Sequence, residues 1–184
     1  MKIIKTTMVI VSLTVFSFIT MAQAPIWVGG EQMYPTKNIV ENAVNSTDHT
    51  TLVAAVQAAG LVEALKSAGP YTVFAPTNAA FGKLPDGTVE SLLKPENKSK
   101  LSGILTYHVV PGKMDSNTLM KKIKAANGEA ELKTLSGGKL IAFMNGEKNI
   151  VLKDENGNVS NVSIYDVNQS NGVIHVIDTV VLPK

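Results

Sequence analysis

The sequence predicts an α+β domain on three observations. Helical spacing and helix caps dominate from Asn38 to Ile123, and from Glu129 onward the period changes to strands separated by Gly-Gly and Asn-Gly pairs. The last run, Val173 to Leu182, is apolar on both alternating faces apart from His175, Asp178 and Thr179. Helices first and hairpins afterwards belong to α+β architectures, and the two-faced final run predicts a central strand covered on both sides.

At the N-terminus, Lys2 and Lys5 precede an uncharged stretch from Met8 to Met21, which predicts a secretory signal peptide over residues 1–22. Thr20, Ala22 and Ala24 offer two cleavage registers, and cleavage after Ala22 avoids placing Pro25 next to the cut. The runner-up, an uncleaved anchor, is short of the roughly 20 residues a spanning helix needs. Residues 23–36 hold two prolines and a Gly-Gly pair without a period, and they predict an extended arm rather than an element. Trp27 and Tyr34 then serve either to pin that arm over a core edge or as an aromatic platform.

The domain proper is expected at 37–184. Asn38 to Val44 predicts one short helix, and Asp48 is placed to cap a second that carries Leu52, Val53 and Val56 before Gly60 ends it. His49 falls in the first turn of that helix, where an exposed position is expected. Tyr71 to Ala75 is an apolar run stopped by Pro76, after which Thr77 can cap a helix carrying Phe81. Leu84-Pro85-Asp86-Gly87 has proline and glycine where a tight turn wants them. A helix through Leu101, Ile104 and Leu105 leads into Tyr107-His108-Val109-Val110, and Ser116 is placed to cap a helix with Leu119, Met120 and Ile123 inward. Lys139 to Met144, Asn149 to Lys153, Val159 to Val167 and Val173 to Leu182 follow as successive antiparallel strands, since Asn-Gly between Val- and Ile-rich runs is a strong hairpin signal.

Composition narrows the function. The chain carries 17 Lys+Arg and 15 Asp+Glu; Lys2 and Lys5 lie in the leader and every acid lies downstream, so the mature balance is 17 minus 2 against 15, or zero. The sequence pI of 8.7 is therefore largely a property of the leader. Every basic residue is lysine, so the bidentate fork used for phosphates and base edges is missing and nucleic acid is not an expected partner. Without cysteine, stability must come from an ordinary core.

Three stretches then become recognisable. TVFAPTNAAF at 72–81, the Tyr107-His108 pair after Ile104-Leu105, and NGVIHVIDTVVLP at 171–183 occur in order and resemble the marker segments of the fasciclin (FAS1) domain family. The resemblance implies a wedge-like pair of packed β-sheets flanked by several short helices, and an exported role in adhesion or binding. In animal members the Tyr-His motif and an Asp-Ile stretch before the last segment are linked to integrin-dependent adhesion. Carried over, this implies Tyr107 and His108 as binding residues, with Asp166 and Val167 at the second place, where Ile164-Tyr165-Asp166-Val167-Asn168 matches only in part. The partner implied is a cell-surface or matrix protein or polysaccharide. A histidine between a helix and a Val-Val strand is, however, most often a hydrogen-bonded core residue.

Local catalytic and metal-binding motifs are missing from the sequence. His49, His108 and His175 are too scattered for a local zinc motif, and Asp154 to Asn158 departs from a calcium loop in its glycine position and in Tyr165 at the twelfth place, so it predicts a hairpin turn. There is no Gly-x-Ser-x-Gly elbow and no phosphate loop, so neither an enzyme nor a cofactor is expected. Glycosylation sequons stand at Asn45, Asn97, Asn158, Asn161 and Asn168. A secreted or periplasmic binding module is the function expected, the alternative being a carrier of a small apolar ligand, a lipid or a pigment.

Overall fold

The computed structural model describes residues 24–184; the expected signal peptide and its cleavage register fall outside the described residues. The first element corrects the expected arm. Strands β1 (Ile26–Val28) and β2 (Glu31–Met33) pair antiparallel across Gly29-Gly30, both at positive φ (59° and 78°) as a two-residue hairpin turn requires. Each strand has only three residues, too few for alternation to show, so the Gly-Gly pair was the readable signal. Val28 and Met33 face inward while Trp27 is 63% exposed, so the aromatics do not pin the segment.

Helix α1 (Ile39–Ala43) is held by a capping box in which Asn38 and Glu41 each accept from the other's backbone N–H. A 3-10 turn over Thr47–His49 precedes α2 (Thr50–Ala59), which ends at Gly60 in the left-handed region. Asp48 does not cap α2. Asn78 Oδ1, from the start of a later helix, accepts from Thr51 N at 2.9 Å and occupies that role across 27 residues of chain. Helix α3 (Val62–Lys66) follows.

The strand-to-helix joint forms as expected. Strand β3 (Tyr71–Pro76) gives way to α4 (Asn78–Phe81), with Thr77 Oγ1 accepting from Ala80 N at 3.2 Å. Helix α5 (Thr88–Leu92) comes next, then α6 (Lys98–Tyr107), and β4 (Val109–Pro111) pairs antiparallel with β3. The cap of α7 (Ser116–Ala125) is Asp115, which accepts from Thr118 N at 2.8 Å, and not Ser116, whose groups are engaged elsewhere.

Strands β5 (Glu129–Lys133), β6 (Lys139–Asn145), β7 (Asn149–Lys153) and β8 (Val159–Gln169) make an antiparallel meander. The last strand, β9 (Gly172–Ile177), is buried throughout and lies between β3, to which it runs parallel, and β8. The order is β4-β3-β9-β8-β7-β6-β5. Strand β8 joins two sheets, since Val159 to Asn161 pair with β7 and Val162 to Gln169 pair with β9 across two register shifts. At the far edges Leu135 N donates to Val109 O at 2.7 Å, which brings the end of β5 against β4 and closes the wedge.

The alternation of β3 and β9 divides the interior. Phe74 and Ile177 point between the sheets to meet Leu132, Leu140, Ile150, Leu152 and the Leu119 and Ile123 face of α7. Val73, Ala75, Ile174 and Val176 point the other way, toward the hairpin, α1, and Leu52 and Leu65 of α2 and α3. No helix among the described residues is long and apolar enough to cross a membrane.

Candidate functional site

Tyr107 is the last residue of α6 and His108 its C-cap, immediately before β4, and both are buried. The tyrosine ring lies on Gly138, where an added Cβ would come within 2.7 Å of it, and its hydroxyl donates to Lys139 O at 2.6 Å while accepting from Glu155 N at 3.2 Å. Burial pushes the phenol up to about 12. Ring Nδ1 of His108 lies 2.8 Å from Ile104 O, which can only accept, so Nδ1 carries the proton. Nε2 then accepts from Val181 N at 3.2 Å. Desolvation holds this ring neutral, its pKa lowered to about 4.

The bond to Val181 is one of a set that fastens the C-terminal segment. Asp154 Oδ2 accepts from Leu182 N at 3.0 Å, Glu155 Oε2 accepts from Lys184 N at 3.0 Å, and Asn156 Nδ2 donates to Leu182 O at 3.0 Å. Asp154 Oδ1 meanwhile accepts from Asn156 N and Asn158 N, each at 2.9 Å, so its carboxylate shapes the β7–β8 turn as well. The calcium-loop-like stretch is thus a turn filled by its own backbone. Sequence reading did not single out Asp154 as a clamp, because its second partner is 28 residues away.

Asp166 and Val167 lie elsewhere, in the irregular stretch of β8. Asp166 has φ 59°, outside strand geometry, and this turns its carboxylate to the start of α7, where Ser116 N donates to Oδ1 at 2.6 Å and Ser116 Oγ donates to Oδ2. Its own N–H donates to His175 Nδ1 at 3.3 Å, and His175 Nε2 donates to Met114 O at 2.9 Å. His175 also stacks on Phe74 with ring centroids 5.7 Å apart, and desolvation lowers its pKa. Serine, aspartate and histidine meet here without forming a nucleophile relay. The hydroxyl pairs with the carboxylate, and both imidazole nitrogens are taken by backbone groups. Val167 is fully buried opposite Ile174. Tyr107-His108 and Asp166-Val167 therefore form two separate knots rather than one surface.

His49 departs from expectation. It is 2% exposed, because the 3-10 turn directs the ring inward. Nδ1 pairs with Ser46 Oγ at 2.8 Å, while Nε2 has no hydrogen-bond partner; the Ala75 carbonyl is near enough to raise the ring's proton affinity slightly without reaching hydrogen-bond geometry. Burial outweighs this and lowers the pKa. His49 lines a cavity of about 360 Å³ between α1, α2 and α3 on one side and β3, β4 and β9 on the other, walled by Leu52, Val56, Leu65, Val73, Val109 and Ile174 among others. The cavity depends on spacing between elements, which no local pattern reveals. No group of acidic residues and histidines among the described residues is arranged to hold a metal ion.

A two-sheet α+β module whose marker residues are spent on internal hydrogen bonds is the class these features define. The chain belongs to the fasciclin (FAS1) family: residues 47–183 match the fasciclin domain. It is 51% identical over 146 residues to Protein sll1483 of Synechocystis sp., covering 79% of this chain and 73% of that one. It is 36% identical over 149 residues to transforming growth factor-beta-induced protein ig-h3 of Sus scrofa, covering 81% of this chain but 20% of that larger protein. Among solved structures, a FAS1 domain pair from the insect cell adhesion molecule Fasciclin I superposes with a TM-score of 0.70 at 18% identity, over 79% of this chain and 51% of that one, a likeness of fold.

Proposed function

We propose that the protein is a secreted or periplasmic fasciclin-like binding module acting in cell-surface or matrix adhesion, with no cofactor and no catalysed reaction. The observation that carries this reading is family membership, with an insect cell adhesion molecule as structural neighbour. In it, Tyr107, His108, Asp166 and Val167 frame the module from within. Contact with a cell-surface or matrix protein or polysaccharide falls to the outside, where Trp27 stands out from the hairpin and Lys37 Nζ lies 5.1 Å from the Tyr34 ring centroid. Nucleic acid is not a partner, and the mature chain does not insert in a membrane. Attachment of the producing cells to surfaces and to one another, with and without the gene, tests this: a clear drop is expected, and unchanged attachment on several surfaces would refute it.

The cavity favours a second reading, a carrier of a small apolar ligand. Ligand pockets are concave, mostly apolar and of roughly 300–1,000 Å³, with few polar groups, and the cavity under α1 to α3 fits that description. Protein purified from its own host should then bring a stoichiometric lipid-like molecule into the mass spectrometer; a clean protein would count against this reading.

A further inference from the structure

The cavity and the unpartnered nitrogen of His49 are independent observations that meet at one place. Apart from Phe74 and the two histidines its walls are aliphatic, and the other charged or polar residues that reach it, Glu41, Gln57 and Lys66, are exposed at its rim. Glu41 is committed to the capping box of α1, and Lys66 Nζ pairs with Glu63 at 3.1 Å, so neither offers a charge to the interior. His108 touches the cavity too, but both its nitrogens are occupied by Ile104 and Val181. A buried polar atom without a partner costs about 1–3 kcal/mol, and native interiors seldom leave one. Nε2 of His49 is the only such side-chain atom among the described residues, and it belongs to a residue that lines the cavity.

We propose that this cavity binds an uncharged aliphatic molecule with a single hydroxyl group, the hydroxyl bonding to Nε2 of His49. The proposal rests on the carrier reading and narrows it. At roughly 30 Å³ per water-sized unit, 360 Å³ holds about a dozen non-hydrogen atoms, so a medium-length alcohol fits within it, whereas a long polyene pigment would extend well beyond it. A hydroxyl both donates and accepts, so it serves either tautomer that Ser46 imposes on the ring. A carboxylate is disfavoured, since an ionised group in an apolar cavity beside a neutral imidazole has nothing to offset its lost hydration.

The test is a titration of protein labelled with 15N in its histidine rings and 13C in its methyl groups, using 1-decanol and, separately, decanoate. With 1-decanol, the Val56 and Ile174 methyl signals and the His49 Nε2 signal should move together, while the His175 ring stays still. Decanoate should bind at least tenfold more weakly. His49→Leu should weaken 1-decanol three- to tenfold, the range of one neutral hydrogen bond. If the methyl signals respond while His49 Nε2 does not, or decanoate binds as well as the alcohol, the hydroxyl assignment is wrong and the carrier reading survives. If neither compound moves the methyl signals, the carrier reading falls with it. The ring signal is read in the unmutated protein, so the outcome does not depend on His49→Leu folding.

Discussion

The two faces of the β3-β9 pair are built to different standards. Toward the second sheet, Phe74, His175 and Ile177 meet a filled interior, and the polar groups there, His175, Asp166 and Ser116, satisfy one another or the backbone. Toward α1, α2 and α3 the same strands leave a cavity of about 360 Å³ and a histidine with a bare nitrogen. On the cavity side itself His108 and His49 repeat the contrast, each 2% exposed and each beside the cavity. One is a cross-link between a helix end and the C-terminal segment. The other has half its hydrogen-bonding capacity unspent. In the function proposed above the marker motif belongs to the scaffold, and the room for a ligand lies where the helical layer sits less tightly on the sheet.

The contrast can be broken by substitution. His108→Ala should have the largest effect, because it empties a buried site and orphans Val181 N, at a cost of roughly 3–5 kcal/mol. Chemical denaturation followed by circular dichroism measures it; a loss under about 1 kcal/mol would mean the histidine does not hold the fold.

Acid should act nearly as strongly. The folded-state pKa of His108, about 4, lies below its unfolded value near 6.5, so between these limits the unfolded chain binds the extra proton. Stability is then full above pH 6.5 and declines as the pH falls toward 4, by about 3 kcal/mol from this residue. His49 and His175 are shifted in the same direction and add to the loss. Asp115, Glu155 and Asp178 have lowered pKa values, so their contribution is lost below the histidine window. Melting temperatures measured across pH 7 to 4 should fall steadily; a flat profile would contradict the burial of these rings.

Asp154→Ala removes the acceptor of Leu182 N and of the turn amides Asn156 N and Asn158 N, and it should cost about 2 kcal/mol. It should also make the C-terminal segment the first site of limited proteolysis. The smallest effect belongs to the other histidine of the pair. His49→Leu removes the bare nitrogen but also orphans the buried Ser46 hydroxyl, and since the two effects offset, stability in the ligand-free protein should change by no more than about 1 kcal/mol. A loss as large as that of His108→Ala would erase the distinction between the two histidines.

What was legible in the sequence follows from how far apart partners lie. The β3-to-α4 joint, the Asn-Gly hairpins and the doubly covered β9 were readable because their determinants sit within a few residues. The helix caps were less so. Asp115 and Ser116 are both good caps, and the choice was made by Asp166, fifty residues away, which takes Ser116 for itself. Asp48 likewise lost its expected role to Asn78. His49 looked like a surface residue because nothing nearby says that a 3-10 turn will direct it inward. The hairpin over residues 26–33 was hidden by the brevity of its strands. Of the four residues the resemblance named, the sequence located each but could not show that they fall into two knots.

The most direct test is an NMR titration of the His108 ring nitrogens. A ring that bridges Ile104 O and Val181 N should stay neutral, with the proton on Nδ1, until the pH falls to about 4. Titration near the ordinary value of about 6.5, with the tautomers in exchange, would mean that His108 meets water and is free to meet a partner, and the account of the motif as scaffold would be wrong.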